Sequence, residues 1–364
     1  MKTAASWLSI VFALTIHDGA SFAADAPGFD IQLDTIRSGF DKKTCWVHPR
    51  AGAIPGNPPK VVLTMQKLLL TGSDVFYALN EMRTDDLGKT WRGPTEHTET
   101  LGRREEPGGI IVAVCDFWPK WHAKSGKLLG TGHTVRYKDN KVMPIRKRET
   151  PFSVYDPQKR TWTAWDTLAM PDEKKFYNAG AGCVQRLDLP NGDILLPIYF
   201  MGEGEKFEKV TVLRCKFDGA KLTYVEHGNE LVLNTDRGFA EPSLTRFRGR
   251  FYLTLRHDKA GYASTSDDGL HYTEPKKWTW DDGSDLGNYN TQQHWVTHDD
   301  ALFLVYTRRG ADNDHVFRHR APLFIGQVDT EKLCVLRATE RVLVPQRGAR
   351  LGNFGVTEVS ANET

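Results

Sequence analysis

The sequence predicts an all-β fold, a six-bladed β-propeller with five or seven blades as the alternatives, and three observations predict it. Short β-rich runs bounded by Gly, Pro, Asn or Asp recur along the whole chain. Hardly any window shows helical periodicity. One turn sequence is repeated, at intervals that suit one four-stranded blade per repeat, and 364 residues are more than a β-sandwich usually needs.

The N-terminus reads as an export signal over residues 1–23. Lys2 supplies a positive start, Trp7 to Ile16 is a short apolar run, and Ser21-Phe22-Ala23 offers small residues for cleavage. That run is about half of the ~20 residues that span a bilayer. The expected product is secreted or periplasmic, with residues 24–364 forming one propeller domain. The 48 basic and 46 acidic side chains leave a formal charge of +2, so no net field recommends nucleic acid, and no later run suits membrane insertion. Any preference for an acidic ligand must be local. Five scattered cysteines, an odd number, make no disulfide framework and read as small buried hydrophobes. No CxxC, HExxH or phosphate-cradling glycine loop is present, so no cofactor and no metal are expected.

The β-rich runs include Val61–Thr64, Ile110–Val114, Ile194–Phe200, Val210–Cys215, Phe251–Leu255 and Leu302–Tyr306. Thr84-Asp85-Asp86-Leu87-Gly88-Lys89-Thr90-Trp91 and Thr265-Ser266-Asp267-Asp268-Gly269-Leu270-His271-Tyr272 share the pattern hydroxyl, x, Asp, x, Gly, x, x, aromatic. The acid can accept backbone N–H bonds across a hairpin, the glycine suits a positive-φ turn, and the ring packs between sheets. Each copy is therefore a structural staple. Tyr155-Asp156-Pro157 with Trp162, and Asp218-Gly219 with Tyr224, are degenerate relatives. The aromatic landmarks at 91, 162, 224 and 272 mark out successive blades.

These turns resemble the Asp boxes of the sialidase superfamily, whose members are six-bladed propellers, and the order of polar residues extends the resemblance over most of the chain. Arg50, in His48-Pro49-Arg50-Ala51-Gly52, resembles the family's first arginine. Asp74, before the first turn repeat, matches its acid/base aspartate. Glu241, in Phe239-Ala240-Glu241-Pro242-Ser243, resembles the glutamate, and Arg256 after Phe251–Leu255 the second arginine. Arg320 matches the third, with Arg308, Arg309 and Arg318 as competitors. Guanidinium forks hold a planar carboxylate in bidentate fashion, so arginines at the axial mouth would select a sugar acid. One feature departs from the family: residues 321–364 contain no tyrosine, and Leu351-Gly352-Asn353-Phe354-Gly355 stands where its nucleophile is expected. Tyr289 or Tyr306 could substitute only in a rearranged site.

Three other clusters carry polar chemistry. His48, two residues before Arg50, shares its strand face and could act as general base. Gln293 and His294, beside Trp295, have the amide, imidazole and aromatic character of sugar recognition. His122, His133, Arg136 and Tyr137, expected on one hairpin, form a set of the kind that propeller polysaccharide lyases use, and His122, His133 and Cys115 are a weaker zinc option. Glu105 and Glu106 read as a turn that could lend a carboxylate.

The expected protein is a monomeric, exo-acting, sialidase-like glycoside hydrolase on an acidic oligosaccharide or polysaccharide. In it Arg50, Arg256, Arg320, Gln293 and His294 bind substrate, while Asp74, Glu241 and His48 carry the chemistry. A uronate lyase and a non-catalytic carbohydrate-binding propeller are the alternatives.

Overall fold

A computed structural model of the chain describes residues 28–71, 74–144, 146–298 and 300–364. The expected export segment, residues 1–23, lies outside the described residues. With 49% strand and 2% helix the chain is all-β, as expected, in a propeller-like arrangement. No helix among the described residues is long and apolar enough to cross a membrane.

The strands form antiparallel meanders in five sheets. Sheet 1 runs Thr44–Ile54, Lys60–Leu69, Val75–Thr84 and Arg92–Glu96. Sheet 2 is built on Ile110–His122, Lys127–Lys138, Pro151–Asp156 and Thr161–Trp162, flanked by Arg104–Glu106. Sheet 3 is built on Asn178–Gly180, Asp193–Met201, Lys209–Phe217 and Leu222–His227. Sheet 4 runs Ala240–Phe247, Arg250–Arg256, Gly261–Ser266 and Lys276–Lys277, and sheet 5 is built on His294–His298, Ala301–Tyr306, Leu323–Asp329 and Cys334–Val335.

Side-chain alternation along a strand explains why the sheets stack. In Asp193–Met201, Ile194, Leu196, Ile198 and Phe200 pack toward sheet 2, whereas Leu195 and Tyr199 pack toward sheet 4. Sheet 5 repeats the pattern: Leu302, Leu304 and Tyr306 face sheet 4, and Ala301, Phe303 and Val305 face the other way. Both faces are apolar, so each sheet needs a neighbour on both sides.

Beyond sheet 5 no sixth sheet forms among the described residues. Phe29, Leu351, Phe354 and Val356 cover the outer face of sheet 5 instead. The six-bladed expectation is therefore met only in part, as a propeller-like arrangement with five sheets among the described residues. Ala51–Ala53, Trp118–Trp121, Val184–Leu187, Leu244–Arg246, Trp295–Thr297 and Val356–Glu358 surround a cavity of about 380 Å³ at one end of the axis. Five of those segments lead or belong to sheets, and the C-terminal segment holds the sixth place.

An aspartate closes the turn after the third strand of every sheet. Asp86, Asp156, Asp218, Asp268 and Asp329 each accept backbone N–H bonds. The second full repeat is shifted by one residue from its sequence pattern: Ser266 and Asp268 make the bonds, while Asp267 is exposed. In both turns the bonding hydroxyl belongs to the last residue of the strand, Thr84 or Ser266, and the acid follows two residues later.

Candidate functional site

At the other axial end, four of the inner segments and the lead-in to the fifth each carry one non-glycine residue in the left-handed region: His48 (φ 56°), Asp116 (50°), Cys183 (61°), Glu241 (45°) and Asn290 (48°). Ladder register breaks between Val47 and Arg50, Cys115 and Trp118, and Ala240 and Ser243. Each left-handed residue costs about 1–3 kcal/mol, and such strain clusters where side chains must be re-aimed. Here the kinks turn polar side chains into a shared basin.

One side of the basin centres on Arg50, which is 1% exposed. Its Nη2 donates to Gln292 Oε1 at 2.8 Å and stands 3.4 Å from Asp116 Oδ1. A relay of hydrogen bonds fixes this corner. Ser243 Oγ donates to His294 Nδ1 (2.8 Å), His294 Nε2 to Gln292 Oε1 (2.9 Å), Gln292 Nε2 to Asn353 Oδ1 (3.0 Å), and Asn353 Nδ2 to His48 Nε2 (2.9 Å). His48 Nδ1 then faces Asp116 at 3.4 Å. Burial favours the neutral imidazole, so His48 and His294 both lie below the usual histidine range. Burial would raise Asp116, but His48, His133 and Arg50 outweigh it and hold its carboxyl at about 2.

The opposite side holds Glu241, Arg256, Asn290 and Arg320. Arg256 Nη1 donates to Glu241 Oε1, and its Nη2 donates to Asn290 Oδ1 at 2.6 Å. Burial raises the Glu241 carboxyl, yet Arg256 holds it below its ordinary value. Arg320 Nη2 donates only to the Asn290 carbonyl, at 3.0 Å. Burial, and then the neighbouring Arg256, bring Arg320 down to about 10. The Nε groups of Arg50, Arg256 and Arg320 are all buried without an acceptor. The C-terminal segment makes room for two of these arginines, because a Cβ on Gly352 or Gly355 would meet Arg320 Cδ or Arg50 Cδ within 3 Å.

A third wall comes from sheets 2 and 3. Tyr199 Oη and His133 Nδ1 share a hydrogen bond at 2.7 Å, Arg148 lies 4.4 Å from the Tyr199 ring centroid, and Arg148 Nη2 donates to Glu208 at 2.7 Å. Cys115, Asp116 and His133 each offer one donor atom within 4.8 Å of the others. Burial pushes the Cys115 thiol up, and Arg50 and Arg148 already bring positive charge to this cluster.

Several expectations hold a different place. Arg50, Glu241, Arg256, Arg320 and His48 converge. Asp74 is exposed before Val75–Thr84, where its charge acts on His48. His294 stands behind Gln292 and is fully buried. Gln293 turns its amide away, toward Gly261, because strand alternation puts it on the opposite face from Gln292 and His294. Phe354 faces the core, 4.8 Å from the His294 ring, and leaves Asn353 in the basin. Tyr306 is core, and Tyr289 bonds His319. The lyase set is not assembled: His122 bonds Ser125 and the Gly192 carbonyl, Arg136 pairs with Glu106 and Glu149, and Tyr137 bonds the Asp74 carbonyl. His122 pairs with Lys127 at the turn end of the hairpin and Cys115 with His133 toward its other end, so the zinc option with Cys115 also lapses. Arg308 pairs with Glu340, Arg309 with Asp285, and Arg318 lies against Phe317.

No protein-family model matches the chain, and no curated protein matches its sequence. Solved structures do match. A protein of unknown function from Dyadobacter fermentans is 15% identical with a TM-score of 0.61, over 88% of this chain and 89% of that one. The Hadza microbial sialidase Hz136 is 13% identical with a TM-score of 0.62, over 87% of this chain and 61% of its own. The Trypanosoma rangeli sialidase is 15% identical with a TM-score of 0.53, over 78% and 47%. The chain thus spans less than two thirds of either sialidase. The fold is a sialidase-like β-propeller.

Proposed function

We propose that this is a secreted, monomeric, exo-acting glycoside hydrolase that removes a carboxylate-bearing sugar from an acidic oligosaccharide or polysaccharide. The observation that carries the reading is Arg320, a half-buried guanidinium beside Arg256 that has a carbonyl for its only hydrogen-bond partner. A substrate carboxylate between Arg320 and Arg256 supplies the missing counter-charge, and Arg50 closes the ring of donors. Asp74, at the open edge, is the acid/base that protonates the leaving oxygen. Glu241 holds Arg256 in place through its ion pair.

Fluorogenic glycosides of a sialic acid and of a hexuronic acid, each compared with its carboxamide, test this. The acid forms are expected to turn over and the amides not. Arg320→Gln is expected to raise KM for the acid by roughly 10–150-fold, the equivalent of about 1.5–3 kcal/mol for a hydrogen bond to a charged group. Equal turnover of acid and amide, or an Arg320→Gln enzyme with unchanged KM, overturns the reading.

A further inference from the structure

Arg50, Arg148 and Arg256 each face a carboxylate at the basin: Asp116, Glu208 and Glu241 in turn. Arg320 and Arg146 do not. They belong to different walls, and each sits beside a paired arginine, Arg320 beside Arg256 and Arg146 beside Arg148. Arg146 repeats the features that make Arg320 an anchor. It is half-buried, its Nη1 donates to a main-chain carbonyl, that of Met143, at 2.7 Å, and its Nε is buried without an acceptor. Burial, and then the neighbouring Arg148, bring the Arg146 guanidinium below its ordinary value.

The groups around Arg146 do not supply the missing charge. Cys115 and Tyr199 are buried, and burial raises the thiol and the phenol alike, so both stay protonated at neutral pH. His133, which burial holds at about 3, is neutral there. Glu208 is committed, since its Oε1 accepts from Arg148 Nη2 at 2.7 Å. Among the described residues no carboxylate pairs with Arg146, and Arg148, 8% exposed, keeps an Nη1 without an acceptor. A guanidinium drawn out of bulk water with no anion beside it carries a desolvation cost that an oxyanion ligand offsets.

The chain fixes this cation deliberately. Asn178 Nδ2 donates to the Arg146 carbonyl at 3.2 Å, the Arg148 N–H to the Tyr177 carbonyl at 3.3 Å, and the Ala179 N–H to the Arg148 carbonyl at 3.0 Å. A Cβ on Gly180 would stand 2.5 Å from His133 Cβ and 2.9 Å from Arg148 Cδ, so a larger residue there displaces one or the other. Tyr199, bonded to His133 and lying against Arg148, joins this wall to the rest of the basin.

We infer that Arg146 binds a second oxyanion of the substrate, so that the glycan is dianionic; the inference rests on the hydrolase reading. One carboxylate lies between Arg320 and Arg256. The other oxyanion, a sulfate ester on the same sugar or a carboxylate on the next, lies at Arg146.

Calorimetric titration of the full chain with the methyl glycosides of a sialic acid and of a hexuronic acid gives the monoanion affinities. Their mono-O-sulfated forms place a second oxyanion on the same sugar, and the matching diacidic disaccharides place it on the next. At least one dianion is expected to bind roughly 10–150-fold more tightly than its monoanion, the gain of a hydrogen bond to a charged group. Arg146→Gln is expected to bring that ratio to about one, whereas Arg320→Gln weakens both ligands and keeps the ratio. On the wild-type chain, which removes any dependence on the variant folding, the dianion is expected to shield Arg146 from phenylglyoxal, read by mass spectrometry, and the monoanion is not. Monoanions that bind as tightly as every dianion, a ratio that survives Arg146→Gln, or equal shielding by both ligands overturns the second oxyanion and leaves the hydrolase reading standing. Absence of binding by monoanions and dianions alike overturns both.

Discussion

The peripheral Asp turns and the axial basin are made of the same residue types, yet they do opposite things with them. At Asp268 the carboxylate accepts from Ser266 Oγ, the Leu270 and His271 N–H groups and the His271 ring, all within four residues of chain. Every lone pair has a local partner. In the basin, partners come from distant sequence and donors are left over: Asp116 meets Arg50 and His48 from sheet 1, and three arginine Nε groups have no acceptor. Local saturation makes structure, and incomplete long-range saturation leaves capacity for a ligand.

Arg50→Ala probes that contrast most severely. It leaves Asp116 without its guanidinium partner in a region where Arg50 was 1% exposed, and loss of one partner of a buried pair costs about 3–5 kcal/mol. Denaturant unfolding is expected to show that loss, and Asp116→Asn in the same chain should restore much of it. If Arg50→Ala unfolds at the wild-type midpoint, the basin's ion pair is not what holds its wall.

Acid separates the two regions by pH window. The buried histidines have depressed folded-state values, so the unfolded chain binds the extra proton below about 6.5 and stability falls as pH drops from there toward about 3, the value of His133. Each such histidine contributes about 1.4 kcal/mol per pH unit inside that window. The turn acids lose their contribution only below about 4, as pH falls toward about 2 for Asp86. Thermal unfolding is expected to weaken already between pH 6.5 and 5, with His294→Gln flattening the slope. A flat profile down to pH 4 assigns acid sensitivity to the turns instead.

Smaller effects belong to the turns themselves. Asp268→Ala is expected to lower stability by about 1–3 kcal/mol while leaving kcat unchanged, since it stands on the periphery. Leu87, 40% exposed at φ 57°, pays the left-handed cost for no contact in the basin, so Leu87→Gly is expected to gain roughly 0.5–1 kcal/mol in chemical unfolding. A loss at that position shows that its side chain packs more than its exposure indicates.

The sequence by itself determined the β-rich elements and four of the five Asp turns, which are properties of local pattern: period-two alternation and turn chemistry. Arg50, Glu241, Arg256 and Arg320 are legible only through the order of polar residues that resembles the sialidase superfamily. Asp329 is not legible in this way because no aromatic residue follows its turn, where the other four have Trp91, Trp162, Tyr224 and Tyr272. Only the tertiary structure decided that the sixth axial place is held by residues 353–358 without a sheet, since nothing in a short C-terminal stretch says which open edge it will cover. It also decided the membership of Asp116, Cys183, Asn290 and Tyr199. Left-handed kinks in successive inner strands turn the first three inward, and alternation does not forecast a kink. Tyr199 reads as one more apolar position in Asp193–Met201 until sheet 2 brings His133 to its hydroxyl.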